Sequence, residues 1–174
     1  MNRAASLNPV LDEWNRIGPA AARAAMLACC GATRWADAMA ASRPLTTVAE
    51  LNKAADRIWA KMQEPDWLEA FACHPRIGER KARSTGQSSA WSTQEQASAA
   101  AASDSILAEL AEKNVLYEQR FGFTYIVCAT GKSAEEMLAI LTRRLSSDRT
   151  TELREAAEQQ QKITRIRLGK WLTK

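Results

Sequence analysis

The 174-residue sequence contains few of the residues that interrupt helices, and this limits the fold classes open to it. It has 7 glycines and 5 prolines, which is too few for the many tight turns of a small β-sandwich or barrel. Between short breaks, apolar residues recur at steps of three or four, a spacing typical of amphipathic helices. We expect one all-α domain over residues 1–174, with about seven to eight helices and one short extended segment near 123–129.

Long hydrophobic runs and clustered metal-binding residues are also missing. No stretch reaches the roughly 18 apolar residues of a membrane span, and the first residues lack the apolar core of a signal peptide. The four cysteines form no Cys-x-x-Cys pair, and there is a single histidine, so the ligands of a zinc site would have to come from scattered residues. We therefore expect a cytoplasmic protein with reduced thiols, no membrane partner and no metal site.

The charge balance is only mildly basic. Lys and Arg number 24 against 20 Asp and Glu, a formal charge of +4, and the isoelectric point is near 9.0. A dedicated nucleic-acid binder concentrates its basic residues on one face, and no pattern of stacking aromatic residues accompanies them here. We expect no nucleic-acid partner; weak nucleic-acid binding remains an alternative, and it would fall steeply with salt.

The histidine is the first candidate for chemistry. His74 follows a predicted short helix ending at Ala72 and precedes Pro75. A lone histidine at such a junction most often caps the helix or is partly buried. An imidazole, with a reference pKa of about 6.5, can also take up and return a proton near neutral pH, and the proline fixes the backbone beside it. Four basic residues follow and could attract an acidic substrate: Arg76, Arg80, Lys81 and Arg83.

The second candidate is a Ser-x-x-Glu pattern. Ser92 and Glu95 have the spacing of a capping box, which would begin a long helix over about 92–120. The structural interpretation is a cap and nothing more. It is compatible with a functional one, because the N–H groups at a helix N-terminus suit an anionic or carbonyl-rich ligand, and Gln96 could bind an amide.

The third candidate is the apolar run Phe-Gly-Phe-Thr-Tyr-Ile-Val-Cys-Ala at 121–129. Its β-branched and aromatic residues favour an extended chain, yet no second strand is evident to pair with it. Its backbone N–H and C=O groups therefore need other partners, which could be another loop, water or a ligand. A buried connector without further function is the competing interpretation.

The fourth candidate is Arg167. Helical spacing predicts that it shares one stripe of the last helix with Gln160, Ile163 and Trp171. An arginine in an apolar stripe usually buries its stem and keeps its head in water. The alternative is a guanidinium directed into a pocket, where its fork would hold a carboxylate.

Together these motifs resemble the 2-oxo-4-hydroxy-4-carboxy-5-ureidoimidazoline (OHCU) decarboxylase family of uric acid breakdown. Their order and spacing carry the resemblance, which extends over almost the whole chain. The matching stretches are residues 7–8, 42–44, 74–78, 92–96, 120–123, 126–129, 144–145 and 166–168.

The resemblance implies an all-helical, cofactor-independent, homodimeric carboxy-lyase that forms (S)-allantoin from a small ureidoimidazoline. It implies that His74 and Glu95 are the catalytic, proton-transferring residues. It implies substrate contacts from Pro75, Ser92, Thr93, Gln94, Glu95, Gln96, Tyr125, Ile126, Val127, Cys128, Ala129 and Arg167. The sequence departs at Thr124-Tyr125, where Pro-Phe is common, so the Tyr125 hydroxyl needs a partner. The alternative from another class is a non-catalytic helical interaction module whose Ser–Glu pairs are only caps.

Overall fold

The computed structural model describes residues 8–77, 87–95, 97 and 102–174. These residues form nine α-helices and no strand, which confirms the predicted all-α fold. The helices are α1 (Pro9–Arg16), α2 (Pro19–Cys30), α3 (Thr33–Ala41), α4 (Val48–Trp59), α5 (Glu64–Ala72), α6 (Gln87–Glu95), α7 (Asp104–Phe121), α8 (Ala134–Arg144) and α9 (Arg149–Trp171). The count exceeds the predicted seven to eight because the helix expected over 92–120 is two helices, α6 and α7.

Local sequence signals set most of the helix ends. Asn8 caps α1 through two backbone N–H groups, and Thr47 and Ser133 each form a capping box with the glutamate three residues later. At the other end of α2 and α7, Gly31 and Gly122 have φ of 88° and 80°. This left-handed conformation ends a helix and favours glycine. Each signal lies within a few residues of the boundary it sets, so the sequence alone reveals it.

One predicted helix start is wrong. Ser92 and Glu95 lie in the second half of α6, which begins at Gln87. The cap of the next helix is Ser103, whose hydroxyl accepts from the N–H of Ile106. Residues three apart are also neighbours inside a helix, so the Ser-x-x-Glu spacing fits both an N-terminus and an interior turn. Ser92 therefore does not supply the helix N-terminus that was predicted to face a ligand.

The chain divides into two compact units. Unit 1 comprises Met1–Glu69 and Gln161–Lys174, and unit 2 comprises Ala70–Gln160. The divisions fall within α5 and α9. The expectation of one domain over 1–174 stays a prediction.

Buried tryptophans dominate the core of unit 1. There α2 packs on α3, and α3 on α4. The rings of Trp14 and Trp171 meet edge to face with centroids 6.0 Å apart. Trp14 and Trp35 are at most 1 % exposed, and their indole N–H groups donate to the carbonyls of Ala22 (2.9 Å) and Ala55 (3.1 Å). The polar tip of each buried indole is thus satisfied within the unit.

A cluster of aromatic rings organises unit 2, in which α7 packs on α8. The Tyr117 ring lies 4.7 Å from Phe121, 5.3 Å from Tyr125 and 5.7 Å from Phe123 between centroids. Phe71, near the end of α5, lies 5.4 Å from Phe123. Because Phe71 is three residues before His74, the cluster packs the chain leading to the histidine against the 123–129 segment.

The cysteine thiols lie mostly in the interior of the protein. All four cysteines lie in the described part of the chain and none forms a disulfide; Cys29, Cys30 and Cys128 are buried. Burial raises the pKa of the Cys29 thiol to about 12, so at neutral pH it is a protonated, small hydrophobic group.

Within the described residues, no cluster of three or more His, Cys, Asp or Glu could hold a metal ion, and no helix combines the length and apolarity needed to cross a bilayer.

Two leucines on α7 provide a matched test of this packing. Leu110 is 0 % exposed and Leu116 is 47 % exposed. We expect Leu110→Ala to lower the free energy of unfolding by about 2–5 kcal/mol, because it leaves a cavity in the core. Leu116→Ala should change it by no more than about 0.5 kcal/mol. Urea denaturation measures both, and equal losses would contradict the assignment of Leu110 to the core.

Candidate active site

His74 lies in the turn that follows α5. The N–H groups of Cys73 and His74 donate to the carbonyls of Ala70 (3.2 Å) and Phe71 (3.1 Å), which continues the helix by one tight turn. The half-buried imidazole has its Nε2 2.7 Å from Oε1 of Gln160 on α9. An amide oxygen can only accept, so Nε2 donates in this hydrogen bond. The ring is therefore attached to a helix distant in sequence.

The residues after His74 are held by α7. The Arg76 guanidinium donates to both carboxylate oxygens of Glu118, at 2.8 and 2.6 Å, a bidentate arrangement. The Ile77 side chain is buried, and its carbonyl accepts from Nδ2 of Asn114 at 3.3 Å. The charge of Arg76 is thus paired within the protein. The other basic residues of the predicted loop, Arg80, Lys81 and Arg83, lie outside the described residues.

The 123–129 segment has neither helical nor strand structure, and side chains satisfy much of its backbone. The carbonyl of Ile126 accepts from Nη1 of Arg144 at 2.6 Å. The N–H of Cys128 donates to Oε1 of Gln159 at 3.0 Å, and its carbonyl accepts from Nζ of Lys132 at 2.8 Å. Residues 125–129 are at most 8 % exposed. The segment is a buried connector whose partners come from α8, α9 and the turn after it.

Val127 lacks the backbone hydrogen bonds that the adjacent Ile126 and Cys128 form with described residues, and it shares this property with Tyr125. It is 6 % exposed, and no described residue forms a hydrogen bond with its backbone N–H or C=O. Buried backbone groups are nearly always paired in folded proteins. The N–H and C=O of Val127 are therefore candidates for contact with a ligand.

The Tyr125 hydroxyl forms a hydrogen bond within unit 2. It donates to the carbonyl of Met137 at 3.1 Å, and the ring lies 4.9 Å from the Arg144 guanidinium. Burial raises the pKa of this phenol, although the Arg144 charge opposes the shift. The departure from Pro-Phe at 124–125 is thus accommodated by the core, and the Tyr125 side chain is directed into it.

Arg144 supports this arrangement from a fully buried position. Its Nε donates to Oε1 of Glu152 at 2.6 Å, and its Nη2 lies 3.3 Å from the Tyr117 hydroxyl, which itself donates to Glu152. All three side chains are 0 % exposed. Burial alone would lower the pKa of Arg144, but the hydrogen bond to Glu152 and the neighbouring charges raise it. Burial also raises the pKa of Tyr117, so at neutral pH a charged guanidinium and an un-ionised phenol share one carboxylate.

The predicted residues of α6 divide between two faces of the helix. Ser92 is 2 % exposed and Glu95 is half-buried, and they share a face because they are three residues apart. Thr93 and Gln94 are exposed. Gln96 lies outside the described residues. Pro75, beside the histidine, is half-buried.

Arg167 belongs to unit 1 and is buried. The predicted stripe of Gln160, Ile163, Arg167 and Trp171 is a buried face of α9, with exposures of 0, 5, 1 and 7 %. The interpretation that the Arg167 head lies in water is therefore wrong. Its charge is close enough to Cys29 to oppose the upward shift of that thiol's pKa.

No sequence motif points to the residues that hold the candidate site together. Gln159, Gln160 and Arg144 were assigned no role, although Gln160 had been placed on the buried stripe. A glutamine at a position expected to be buried needs a hydrogen-bond partner. That requirement was the signal available in the sequence, but it does not identify which partner.

Comparisons with known proteins identify the family of the chain. The OHCU decarboxylase family profile matches residues 15–169. The chain belongs to the OHCU decarboxylase family. It is 30 % identical over 130 residues to a 2-oxo-4-hydroxy-4-carboxy-5-ureidoimidazoline decarboxylase of Haloferax volcanii, covering 74 % of each chain. It is 42 % identical over 144 residues to the uric acid degradation bifunctional protein TTL of Arabidopsis thaliana, covering 82 % of this chain and 44 % of that one. The chain thus spans less than half the length of that bifunctional relative.

Solved structures also resemble this one. A crystal structure of OHCU decarboxylase in the presence of (S)-allantoin matches with a TM-score of 0.75 and 40 % identity, covering 85 % of this chain and 96 % of that one. The crystal structure of (S)-allantoin synthase matches with a TM-score of 0.68 and 20 % identity, covering 92 % of this chain and 53 % of that one. The second likeness shows the fold alone.

Removing the counter-ion of Arg144 tests the support of the 123–129 segment. We expect Glu152→Gln to lower the free energy of unfolding by about 3–5 kcal/mol, because it leaves a buried guanidinium without its main carboxylate partner. The neighbouring Arg143 provides the control, since its pair with Glu155 is at the surface. Arg143→Met should cost no more than about 1 kcal/mol. Chemical denaturation measures both variants. Similar losses in the free energy of unfolding would show that the buried Arg144–Glu152 pair stabilises the fold no more than the surface pair does.

Proposed function

We propose that the chain catalyses the cofactor-independent decarboxylation of OHCU to (S)-allantoin in uric acid degradation. The observation that carries the proposal is the likeness to the OHCU decarboxylase crystallised in the presence of (S)-allantoin, at 40 % identity over 96 % of that chain. Membership of the family points to the same reaction. The homodimeric state and the cytoplasmic location stay predictions.

The substrate offers ureido and ring amide groups, a carboxylate and a hydroxyl, and the proposed contacts match these chemically. The backbone N–H and C=O of Val127 would form hydrogen bonds with the amide groups of the substrate. Tyr125 would also contact the substrate through its backbone, because its side chain is bonded to Met137. Arg167 would hold the carboxylate or a ring carbonyl with its fork. The remaining proposed contacts are Pro75, Ser92, Thr93, Gln94, Glu95, Gln96, Ile126, Cys128 and Ala129; those of Gln96 and Arg167 rest on the sequence resemblance.

In the proposed mechanism, His74 takes the proton of the substrate hydroxyl or orients the carboxylate for departure. The bond between the ring carbon and the carboxylate breaks, carbon dioxide leaves, and the electron pair spreads into the adjacent imine. The ring nitrogen of the former imine takes up one proton from solvent. The carbon that lost the carboxylate keeps its oxygen as a carbonyl as the O–H proton passes to His74, and the former imine carbon, which carries the ureido group, gains a proton whose delivery to one face is assisted by Glu95. Delivery to one face gives a single enantiomer.

Replacing the histidine tests its assignment as a catalytic residue. We expect His74→Asn and His74→Ala to lower the rate of enantioselective allantoin formation by about 10²–10⁴-fold, the usual contribution of a general acid–base group, while the far-ultraviolet spectrum stays unchanged. Circular dichroism of freshly generated OHCU follows the chiral product against the spontaneous racemic decay. Cys73→Ser, at the exposed neighbouring residue, is the control with normal turnover. Normal turnover in the His74 variants would refute the assignment.

Replacing Glu95 tests the proposed reprotonation separately. We expect Glu95→Gln to lower the enantiomeric excess of allantoin, because the side chain can no longer deliver a proton to one face. Chiral chromatography of the product, beside the rate of carbon dioxide release, distinguishes this from a general loss of activity. Glu112→Gln, at an exposed site on α7, should leave both quantities unchanged. An undiminished enantiomeric excess at Glu95→Gln would remove this carboxylate from the mechanism.

A further inference from the structure

Gln160 has the position and the chemistry of a residue that controls the histidine. It is 0 % exposed on α9, and its Oε1 lies 2.7 Å from Nε2 of His74. The preceding residue, Gln159, binds the N–H of Cys128. Two consecutive glutamines of one helix therefore contact the two segments that carry most of the proposed site.

The hydrogen bond determines which ring nitrogen carries the proton. Because the amide oxygen can only accept, Nε2 must donate, and the neutral ring then has its lone pair on Nδ1. With the Gln160 amide oriented as it is, a proton on Nδ1 would leave the lone pair of Nε2 facing the amide oxygen, and the bond would be lost; only a rotation of the amide that presents its NH2 group would restore it. An unmade hydrogen bond of a buried polar group is costly, so the contact favours one tautomer.

We propose that Gln160 is a positioning residue that holds His74 in the Nε2–H tautomer and thereby makes Nδ1 the atom that exchanges a proton with substrate. The inference rests on the proposed function for its catalytic consequence but not for the tautomer. A glutamine performs this task without adding a charge, whereas the aspartate partner of a catalytic triad also stabilises the imidazolium.

The single histidine of the chain makes the tautomer directly measurable. In protein labelled with ¹⁵N-histidine, the two ring nitrogens give one pair of signals, and proton–nitrogen correlation spectra above the titration of the ring show which nitrogen is protonated. The set is the wild type, Gln160→Met, which keeps the side-chain length but removes the acceptor, and Gln160→Glu, which restores one. Gln161→Met is the control, since Gln161 bonds to Asp56.

We expect the Nε2–H form in the wild type, in Gln161→Met and in Gln160→Glu, and a mixture of tautomers in Gln160→Met. A wild-type ring protonated at Nδ1, or an unchanged Nε2–H form in a folded Gln160→Met protein, would overturn the inference. If Gln160→Met fails to fold, the comparison passes to Gln160→Leu and to the wild-type spectrum, which alone decides whether Nε2 carries the proton.

Turnover separates this inference from the proposed function. We expect Gln160→Met to lower kcat by at least about tenfold and up to about 10⁴-fold, the range of a general base that has lost its orientation, with KM changed less than kcat. Gln160→Glu should recover part of kcat. A wild-type protein that shows the Nε2–H tautomer but does not accelerate OHCU decay would refute the function and leave the tautomer assignment standing. An active wild type whose kcat is unaffected by Gln160→Met would refute the positioning role alone.

Discussion

Arg144 carries a full charge with no exposed surface, and the arrangement of unit 2 depends on how that charge is held. Taking a guanidinium out of water costs several kcal/mol unless a counter-ion and further acceptors replace the lost hydration. Glu152 supplies the counter-charge, and the carbonyl of Ile126 accepts one of the remaining donors. The cost of burying the charge is thus offset only when α8, α9 and the 123–129 segment take up one arrangement. The position of the segment is therefore fixed in part by the need to solvate the Arg144 charge.

Helix α9 acts as the common support of these contacts. Glu152 lies two turns before Gln159 and Gln160, a distance of about 10–12 Å along the axis. Residues seven or eight apart fall on one side of a helix, so one side of α9 carries the partner of Arg144, the partner of Cys128 and the partner of His74. Because all three hydrogen bonds start from one rigid element, the relative placement of the histidine turn and the segment is set by helix geometry, and sites built in this way are more accurately held than sites on loops alone.

The sequence reveals what is decided locally and hides what is decided at long range. Caps such as Ser133 and terminators such as Gly122 could be predicted because the atoms involved lie a few residues apart. Ser92 shows the limit of local signals, since its spacing to Glu95 fits the interior of a helix as well as its start. The bond from His74 to Gln160 joins residues 86 positions apart, and a pattern of apolar residues contains no information on such a pairing. Arg167 shows the same limit, because its spacing predicts a place on the apolar stripe but does not decide between a head in water and a buried one.

The two supports differ in charge, and the difference follows the chemistry each one serves. Arg144, paired with Glu152, donates a charge-assisted hydrogen bond to the Ile126 carbonyl of the 123–129 segment. At the His74 ring and at the N–H of Cys128 the supporting groups are neutral amides, which impose direction with little electric field. A carboxylate in place of Gln160 would favour the protonated imidazole and would repel a substrate that is itself a carboxylate. For a ring that must accept a proton from an anionic substrate, an amide therefore gives orientation without either penalty, and this accounts physically for a glutamine at the buried position beside the histidine.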